Sequence, residues 1–483
     1  MSQFATMAEA LEEIGPTFKF GPFAEILQPL IEEVIEEKGL SKVRKGTFLI
    51  PILVIWLTLA LTIRRDLSCD KVFNWMLSAF RWLDMILPAR SRVVSEGAIS
   101  HARVRIGVEV FRLLFNKLVT SFKQIRPDFY GYTSVAFDGT SATMPDSEVN
   151  KKKFSKPNSG RGQAAYPQLR LVSIVAISER LVLDIAYGPF YGKRSGERAL
   201  MIHILERMSR KSLLILLDAG LYSFQMLWVI HHQNQKFLVT VPKTVKLKKS
   251  KRLPDGSYIT QLSSKIIDPD KPKTTDGRNR WKVVSIPVRI IDYTIPGFRP
   301  KRLMTNILDL DICARELALH YHKRWDIEIT YDEIKTHQCA TLRGKAPTIF
   351  RSKRPDLVEQ ELYAMLIVYN VVRLLILKAA LAQGKDPRFI SFLDALQHII
   401  DVAPLMTVAE PERRLEQFEY LLQLIADCEI DRPRRHRVNP RVVKVKMSKF
   451  KRKNKQHKSE HRDLAKGLVI TGQKSGERSP MLA

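Results

Sequence analysis

With 483 residues, 45% of them hydrophobic, the chain exceeds one ordinary domain and can bury substantial cores, so two to four folded units are expected. The 79 Lys and Arg against 50 Asp and Glu give a net charge of +29, the footprint of a protein that meets a polyanion, nucleic acid first among them. Four separated cysteines, Cys69, Cys313, Cys339 and Cys428, form no CxxC pair, which speaks against a disulfide framework or structural zinc and fits a reducing cytoplasm.

Taken in order, the chain starts with acids where an export signal would carry a basic segment, and no such signal is visible. Apolar residues recur at helical spacing in Phe23 to Glu37, Thr47 to Arg64, Lys71 to Leu83 and Ser100 to Phe122, predicting an all-α region over residues 1–125. The run from Phe48 to Ile63 is 16 residues long and contains Pro51, short of the ~20 that span a bilayer, so it reads as a buried core helix. The helix bearing Ser100, His101, Arg103 and Arg105 is either a reader of a DNA groove or an ordinary basic helix of a bundle. From Phe129 the texture becomes β-rich: YTSVAFDG, PQLRLVSIVAIS, RLVLDIAYG, then helix, the strand SLLILLDAG, helix, and the strand KFLVTVPK. That order calls for a mixed sheet covered by helices. Residues 244–302 are rich in Lys and turn residues between strand candidates and read as an inserted β-rich domain. A long helix is predicted from Asp311, then further helices at Asp356 to Gln383, Phe389 to Val402 and Glu410 to Asp427. Beyond Asp431 the tail reads as flexible, with fourteen Lys and Arg between Arg432 and Arg462 against one Glu.

Two aspartates stand at strand ends. Asp138 closes YTSVAFDG and Asp218 closes SLLILLDAG, and a carboxylate there is fixed yet able to reach a cleft. In Tyr321 to Lys335, Tyr321, Arg324, Glu328 and Lys335 lie at relative positions 0, 3, 7 and 14, which on an α-helix falls within about 60° on one face. Such a face suits a carboxylate that holds a metal between cations that hold phosphate, or else a solvated surface of i, i+4 ion pairs, to which Asp326, Asp332 and Glu333 lend themselves. Two strand-borne aspartates and one helix-borne glutamate can hold two Mg²⁺ or Mn²⁺ ions, the arrangement used in phosphodiester displacement. No GxxxxGK[ST] loop is present, which argues against an ATP-driven mechanism.

The spacing Y-(2)-R-(3)-E-(6)-K of Tyr321, Arg324, Glu328 and Lys335 resembles the third motif of the DDE transposases of bacterial insertion sequences, family four. AFDGT around Asp138, ILLDAGLYS around Asp218, RLPDGSY, QELYAMLIVYNVVR and the tail's PRVVKVKMSKFKRK look like the same family, so the resemblance covers about residues 25–455. It implies an α+β multidomain protein: a ribonuclease-H-like mixed α/β core over 126–243 and 303–350, an insertion at 244–302, an all-α N-terminal DNA-binding domain at 1–125, C-terminal helices at 351–430 and a basic tail at 431–483. It further implies that Asp138, Asp218 and Glu328 are the catalytic, metal-binding triad, taking two Mg²⁺ ions for which Mn²⁺ substitutes. Tyr321, Arg324 and Lys335 would hold phosphates at the cleaved end, and Trp325 would stack on a base. Some relatives carry a Trp in the insertion where Lys301 and Arg302 stand here, and often an Arg after the second Asp, where this chain has Ala219. Arg103, Arg105, Arg434, Arg435 and Lys444 are further candidates for DNA contact. The implied activity is metal-dependent cleavage at transposon inverted repeats and strand transfer into target DNA, by cut-and-paste with a possible hairpin step, by a dimer in the DNA complex, in the bacterial cytoplasm and off the membrane. A hydrolytic nuclease on the same fold and a non-catalytic DNA-binding derivative are the alternatives.

Overall fold

The structure, a computed structural model, describes residues 18–79 and 94–430, apart from 44–46, 124, 160–161, 243–244, 249–251, 268–275, 277, 279, 297–299, 342–343 and 346–347, and then 437–438, 460–461 and 464–472. Among the described residues, five α-helices lead: α1 (Ala24–Glu37), α2 (Pro51–Ala60), α3 (Cys69–Met76), α4 (Glu96–Ile106) and α5 (Val108–Thr120). Pro51 opens α2, where its missing N–H costs nothing, and the helix is buried from Ile52 to Ala60. Ser95 caps α4 by accepting the Ala98 N–H at 3.2 Å, and Gly107, at φ +79°, makes the sharp break into α5 that a side chain would strain.

The alternating part follows as β1 (Thr133–Thr143), α6 (Glu148–Phe154), β2 (Gln168–Ala176), β3 (Leu181–Pro189), α7 (Glu197–Arg207), β4 (Leu213–Leu217), α8 (Phe224–His232) and β5 (Lys236–Thr240). Among the described residues the expected succession is interrupted by α6, whose seven residues are too short for periodicity to reveal, and by a two-residue strand pair, Asn158–Ser159 with Gly162–Gln163. Next come β6 (Tyr258–Ile267), β7 (Trp281–Thr294), β8 (Lys301–Thr305), α9 (Ala314–Tyr321), a 3₁₀ turn (His322–Trp325), α10 (Asp326–Asp332), a π turn (Glu333–Gln338), α11 (Pro355–Ala382), α12 (Phe392–Val408), α13 (Pro411–Asp427) and β9 (Val469–Ile470).

The described residues fall into two compact units. The first takes the described residues of 1–126, 139–204 and 327–430, so the N-terminal and C-terminal helices form one helical assembly instead of separate domains. Its centre is α11, against which α2, α5, α12 and α13 pack. Although α11 is long and apolar enough to cross a membrane, 83% of its most apolar window is buried inside the protein. The rings of Phe115 and Tyr363 meet at 5.9 Å between centroids, tying α5 to α11. Gly21 packs so closely on α12 that a Cβ there would stand 2.7 Å from backbone atoms of Ala403. The antiparallel pair β2–β3 is stitched to α11 by Asn370, which accepts the Val182 N–H and donates to the Val182 carbonyl, both at 2.9 Å.

The second unit takes the described residues of 127–138, 205–326 and 431–483, and holds a mixed sheet. The first half of β1 runs parallel to β4, and β4 parallel to β5; β5–β8, β8–β7 and β7–β6 are antiparallel. All five residues of β4 are buried, as its unbroken apolar run predicts, each such side chain contributing roughly 1.5–3 kcal/mol. Within residues 244–302, β6 and β7 pair antiparallel, and β7 joins this sheet through β8. The base of the β6–β7 pair is locked by Arg289, which is fully buried and donates to the carboxylate of Asp255 and to the carbonyls of Asp309 and Ile312 at 2.7 and 2.8 Å; Asp255 also accepts the Ala314 N–H at 2.9 Å, fixing the start of α9. Part of the tail is ordered too. β9 pairs with β7 at Val469↔Thr294 and Ile470↔Tyr293, and Arg315 donates to the carbonyls of Leu468 and Ala465.

Candidate active site

In the sheet unit, the register of parallel β1 and β4 pairs Ala136 with Leu216. Two residues further along each chain stand Asp138 and Asp218, at equivalent positions and hence on the same face, on strands about 4.8 Å apart. Both are half-buried. The Oδ1 of Asp218 accepts the Leu221 N–H at 2.9 Å, a turn that fixes the carboxylate just past the strand end.

Tyr321 closes on the same place. It is buried, accepts from Thr240 Oγ1 at 2.6 Å and donates to the carbonyl of Leu217 at 3.0 Å, the residue before Asp218. Burial raises its hydroxyl's pKa; Arg324 and the Thr240 bond work against that shift, and the nearby Asp218 adds to it. The Tyr321 hydroxyl thus serves an internal bond that steadies the Asp218 strand. Arg324 is buried as well, with its guanidinium carbon 5.6 Å from the centre of the Trp325 ring, while Trp325 is 46% exposed. His322 is held neutral: burial, then Lys301 and Arg324, bring its pKa down to about 4. At the place where some relatives carry a Trp, Arg302 is paired with Asp292, at 2.7 and 3.2 Å.

In the helical unit, Glu328 lies on α10 and is half-buried. It lines a cavity of about 430 Å³ together with Tyr331, Asp332, Lys335 and Thr336. The Lys335 ammonium donates to Thr140 Oγ1 and to the carbonyl of Ser141, both at 2.9 Å, two and three residues beyond Asp138 along β1. Gly139 leaves room for a fourth acid: a Cβ there would stand 2.5–2.6 Å from side-chain atoms of Glu197, at the start of α7.

The stretch from Tyr321 to Lys335 is not the single α-helix assumed from its spacing. It passes from α9 through a 3₁₀ turn into α10 and then a π turn, so a uniform 100° per residue does not apply. The structure thus groups Asp138, Asp218, Tyr321 and Arg324 in one unit, and Glu328 with Lys335 in the other. Among the described residues, no three His, Cys, Asp or Glu side chains form a ready-made metal-holding group. The donor chemistry of Asp138, Asp218 and Glu328, oxygen throughout, fits a hard divalent cation.

Of the other expected contacts, Arg103 is buried, donates to the Leu357 carbonyl at 3.2 Å and pairs with Glu361 at 3.8 Å, so it helps build the helical unit. Arg105 is exposed, with one donor on the Leu49 carbonyl at 2.8 Å. Arg434, Arg435 and Lys444 lie outside the described residues. Sequence reasoning missed Thr140 and the buried state of Glu333. For Glu197 the usable sign was the glycine directly after a strand-end aspartate, where something approaches closely.

Comparison with known proteins bears on this arrangement. Residues 130–371 match the family described as "Transposase DDE domain", and residues 18–116 match "Insertion element 4 transposase N-terminal". The chain is 26% identical over 429 residues, 87% of its length and 91% of the relative's, to the transposase InsG for insertion sequence element IS4 of Escherichia coli (strain K12). Among solved structures it is similar to the piggyBac transposase in a synaptic complex with hairpin DNA, at 10% identity and a TM-score of 0.42, covering 87% of this chain and 86% of that one.

Proposed function

The chain belongs to the DDE transposase family, and from that membership we propose which of its residues carry the reaction and how. It is a transposase, an enzyme that cleaves DNA and transfers the cut strand. Members of the family use divalent metal ions.

In our reading Asp138, Asp218 and Glu328 are the catalytic carboxylates of a ribonuclease-H-like core. The observation that carries it is the placement of Asp138 and Asp218 at equivalent positions on adjacent parallel strands, within a chain whose third motif supplies Glu328 on a cavity wall. Held by these three, a pair of Mg²⁺ ions, for which Mn²⁺ substitutes, would activate a water or 3′ hydroxyl and stabilise the leaving oxygen. Tyr321 then acts by fixing the Asp218 strand end, and Lys335 by placing positive charge beside β1, where a strand's phosphate is to be bound. The exposed ring of Trp325 is suited to stack on a base at the DNA end, which supports a hairpin intermediate in a cut-and-paste route.

The DNA partners are the element's inverted repeats and a target duplex. The excess of positive charge supplies non-specific attraction, to which Arg105, Arg324 and the basic tail with Arg434, Arg435 and Lys444 contribute. We assign the working form as a dimer on DNA, in the bacterial cytoplasm, with no membrane role. An assay with precut inverted-repeat ends and plasmid target tests the whole reading. Joined products with Mg²⁺ or Mn²⁺, and none with EDTA, are expected; cutting without joining would leave a nuclease, and salt-sensitive binding without turnover a DNA-binding derivative.

A further inference from the structure

The sequence treats Glu333 as one more charge on a helix surface, but the structure buries it at the first residue of the π turn. Its Oε1 accepts from Arg180 at 3.0 Å and from Arg373; its Oε2 accepts from Nε of Arg373 at 2.9 Å. The Tyr369 hydroxyl stands 2.9 Å from both Glu333 Oε2 and the Arg180 carbonyl, where it donates to either. Arg180 itself sits at φ +57°, a left-handed conformation that an arginine adopts only when its surroundings impose it. The far end of the π turn is tied to the same helix, α11, by Gln338, which donates to the Met365 carbonyl at 3.0 Å.

Such a carboxylate between two guanidinium groups is an expensive way to gain stability, since an apolar cluster of the same volume commonly does as well. Its use is better sought in register. A π turn advances each residue by less than the 100° of an α-helix, which turns Lys335 relative to Glu328 on the wall of the cavity they share. The consequence is visible in the contacts Lys335 makes, with Thr140 and Ser141 of β1. Left to itself, a peptide segment relaxes to the α form, because π turns are rare and local.

We propose that Glu333 is a positioning residue for DNA cleavage: its buried bridge to Arg180, Arg373 and Tyr369 holds the π turn that aims Lys335 at Thr140 and Ser141 of β1. The assignment rests on the reading of Glu328 and Lys335 given above. It places the cause of Lys335's aim outside the cavity, in side chains that touch neither DNA nor metal.

The test uses the full-length protein and a duplex of its own terminal inverted repeat. Glu333→Gln is expected to lower single-turnover cleavage at saturating DNA at least ten-fold and to weaken end binding as Lys335→Ala does. In the Lys335→Ala background the same change should have no further effect on binding, because both act through one ammonium. A triple replacement of Glu333, Arg180 and Arg373 by Met guards against failure to fold; it should keep the helical content and melting cooperativity of the parent and still lose cleavage. The proposal is overturned if the folded Gln or triple-Met protein cleaves and binds as the parent does, or if the binding losses of Glu333→Gln and Lys335→Ala multiply. Glu328→Gln, run alongside, separates this from failure of the site itself: cleavage retained there refutes the carboxylate assignment and leaves the binding cycle to decide on Glu333.

Discussion

The hydroxyl of Tyr321 donates to the carbonyl of Leu217 across 3.0 Å, so the last residue of α9 holds the strand end from which Asp218 projects. Replacing Tyr321 by Phe keeps the ring and removes the bond, stranding the Leu217 carbonyl and the Thr240 hydroxyl. A stability loss of about 1–3 kcal/mol is expected in chemical denaturation. Cleavage should slow by roughly ten-fold through loss of alignment, with end binding unchanged; a Phe variant that binds poorly but cleaves normally once bound would return Tyr321 to the role of a DNA contact.

Glu328→Gln conserves shape and removes the charge that a divalent cation requires. Metal-dependent cleavage should fall by at least about a thousand-fold, on the order of 4 kcal/mol in the barrier, while gel-shift affinity for the ends stays within a small factor. Robust cleavage by this variant would end the assignment of Glu328 as the third carboxylate.

Arg103 and Arg105 sit two residues apart, on nearly opposite sides of α4, and should behave oppositely. Arg105→Ala is expected to weaken binding to any duplex alike and to reduce the slope of log affinity against log salt by about one. Arg103→Ala instead leaves Glu361 buried without its cation and should cost roughly 3–5 kcal/mol of stability. Thermal melts and salt titrations of the two proteins decide the matter.

Gly21 combines φ +49° with backbone atoms of Ala403 at 2.7 Å from the position of a Cβ. Neither partner is a flexible side-chain end, so Gly21→Ala should destabilise the helical unit by roughly 2–4 kcal/mol. A melting temperature unchanged by this substitution would show that the N-terminal segment does not dock on α12.

The half-buried imidazole of His322 gives the fold an acid sensitivity. Its pKa is lowered to about 4 from an ordinary 6.5, so between those values the unfolded chain binds a proton that the folded chain refuses. Stability from this group is complete above pH 6.5 and declines as pH falls toward 4. His322→Gln should flatten that part of the stability profile, as followed by denaturant midpoints across the window.

The strands carrying Asp138 and Asp218 were legible because each is a short apolar run ending in a carboxylate and a small residue, a pattern that depends only on neighbours in the chain. The third motif was legible as spacing but not as shape. Its helical angles assumed one uniform helix, whereas tertiary contacts impose a 3₁₀ turn at His322 and a π turn at Glu333. Burial of charge was the least legible feature. Glu333 finds its cations 153 and 40 residues away, and Arg103 pairs with a residue of α11, so nothing local distinguishes either from a surface charge. The insertion's β character followed from its turns and β-branched runs, but its union with the sheet depends on pairing between β7 and β8 that no local pattern specifies.

The meeting of Phe115 with Tyr363 also dictates an order of events on the ribosome. The first helices emerge with apolar faces made to rest on α11, and at ordinary rates of synthesis the roughly 250 residues between those rings take about 12 to 50 s to arrive. Until then the apolar faces of the amino-terminal helices lack the α11 surface that covers them in the finished protein, so the helical unit closes only once that helix has been made.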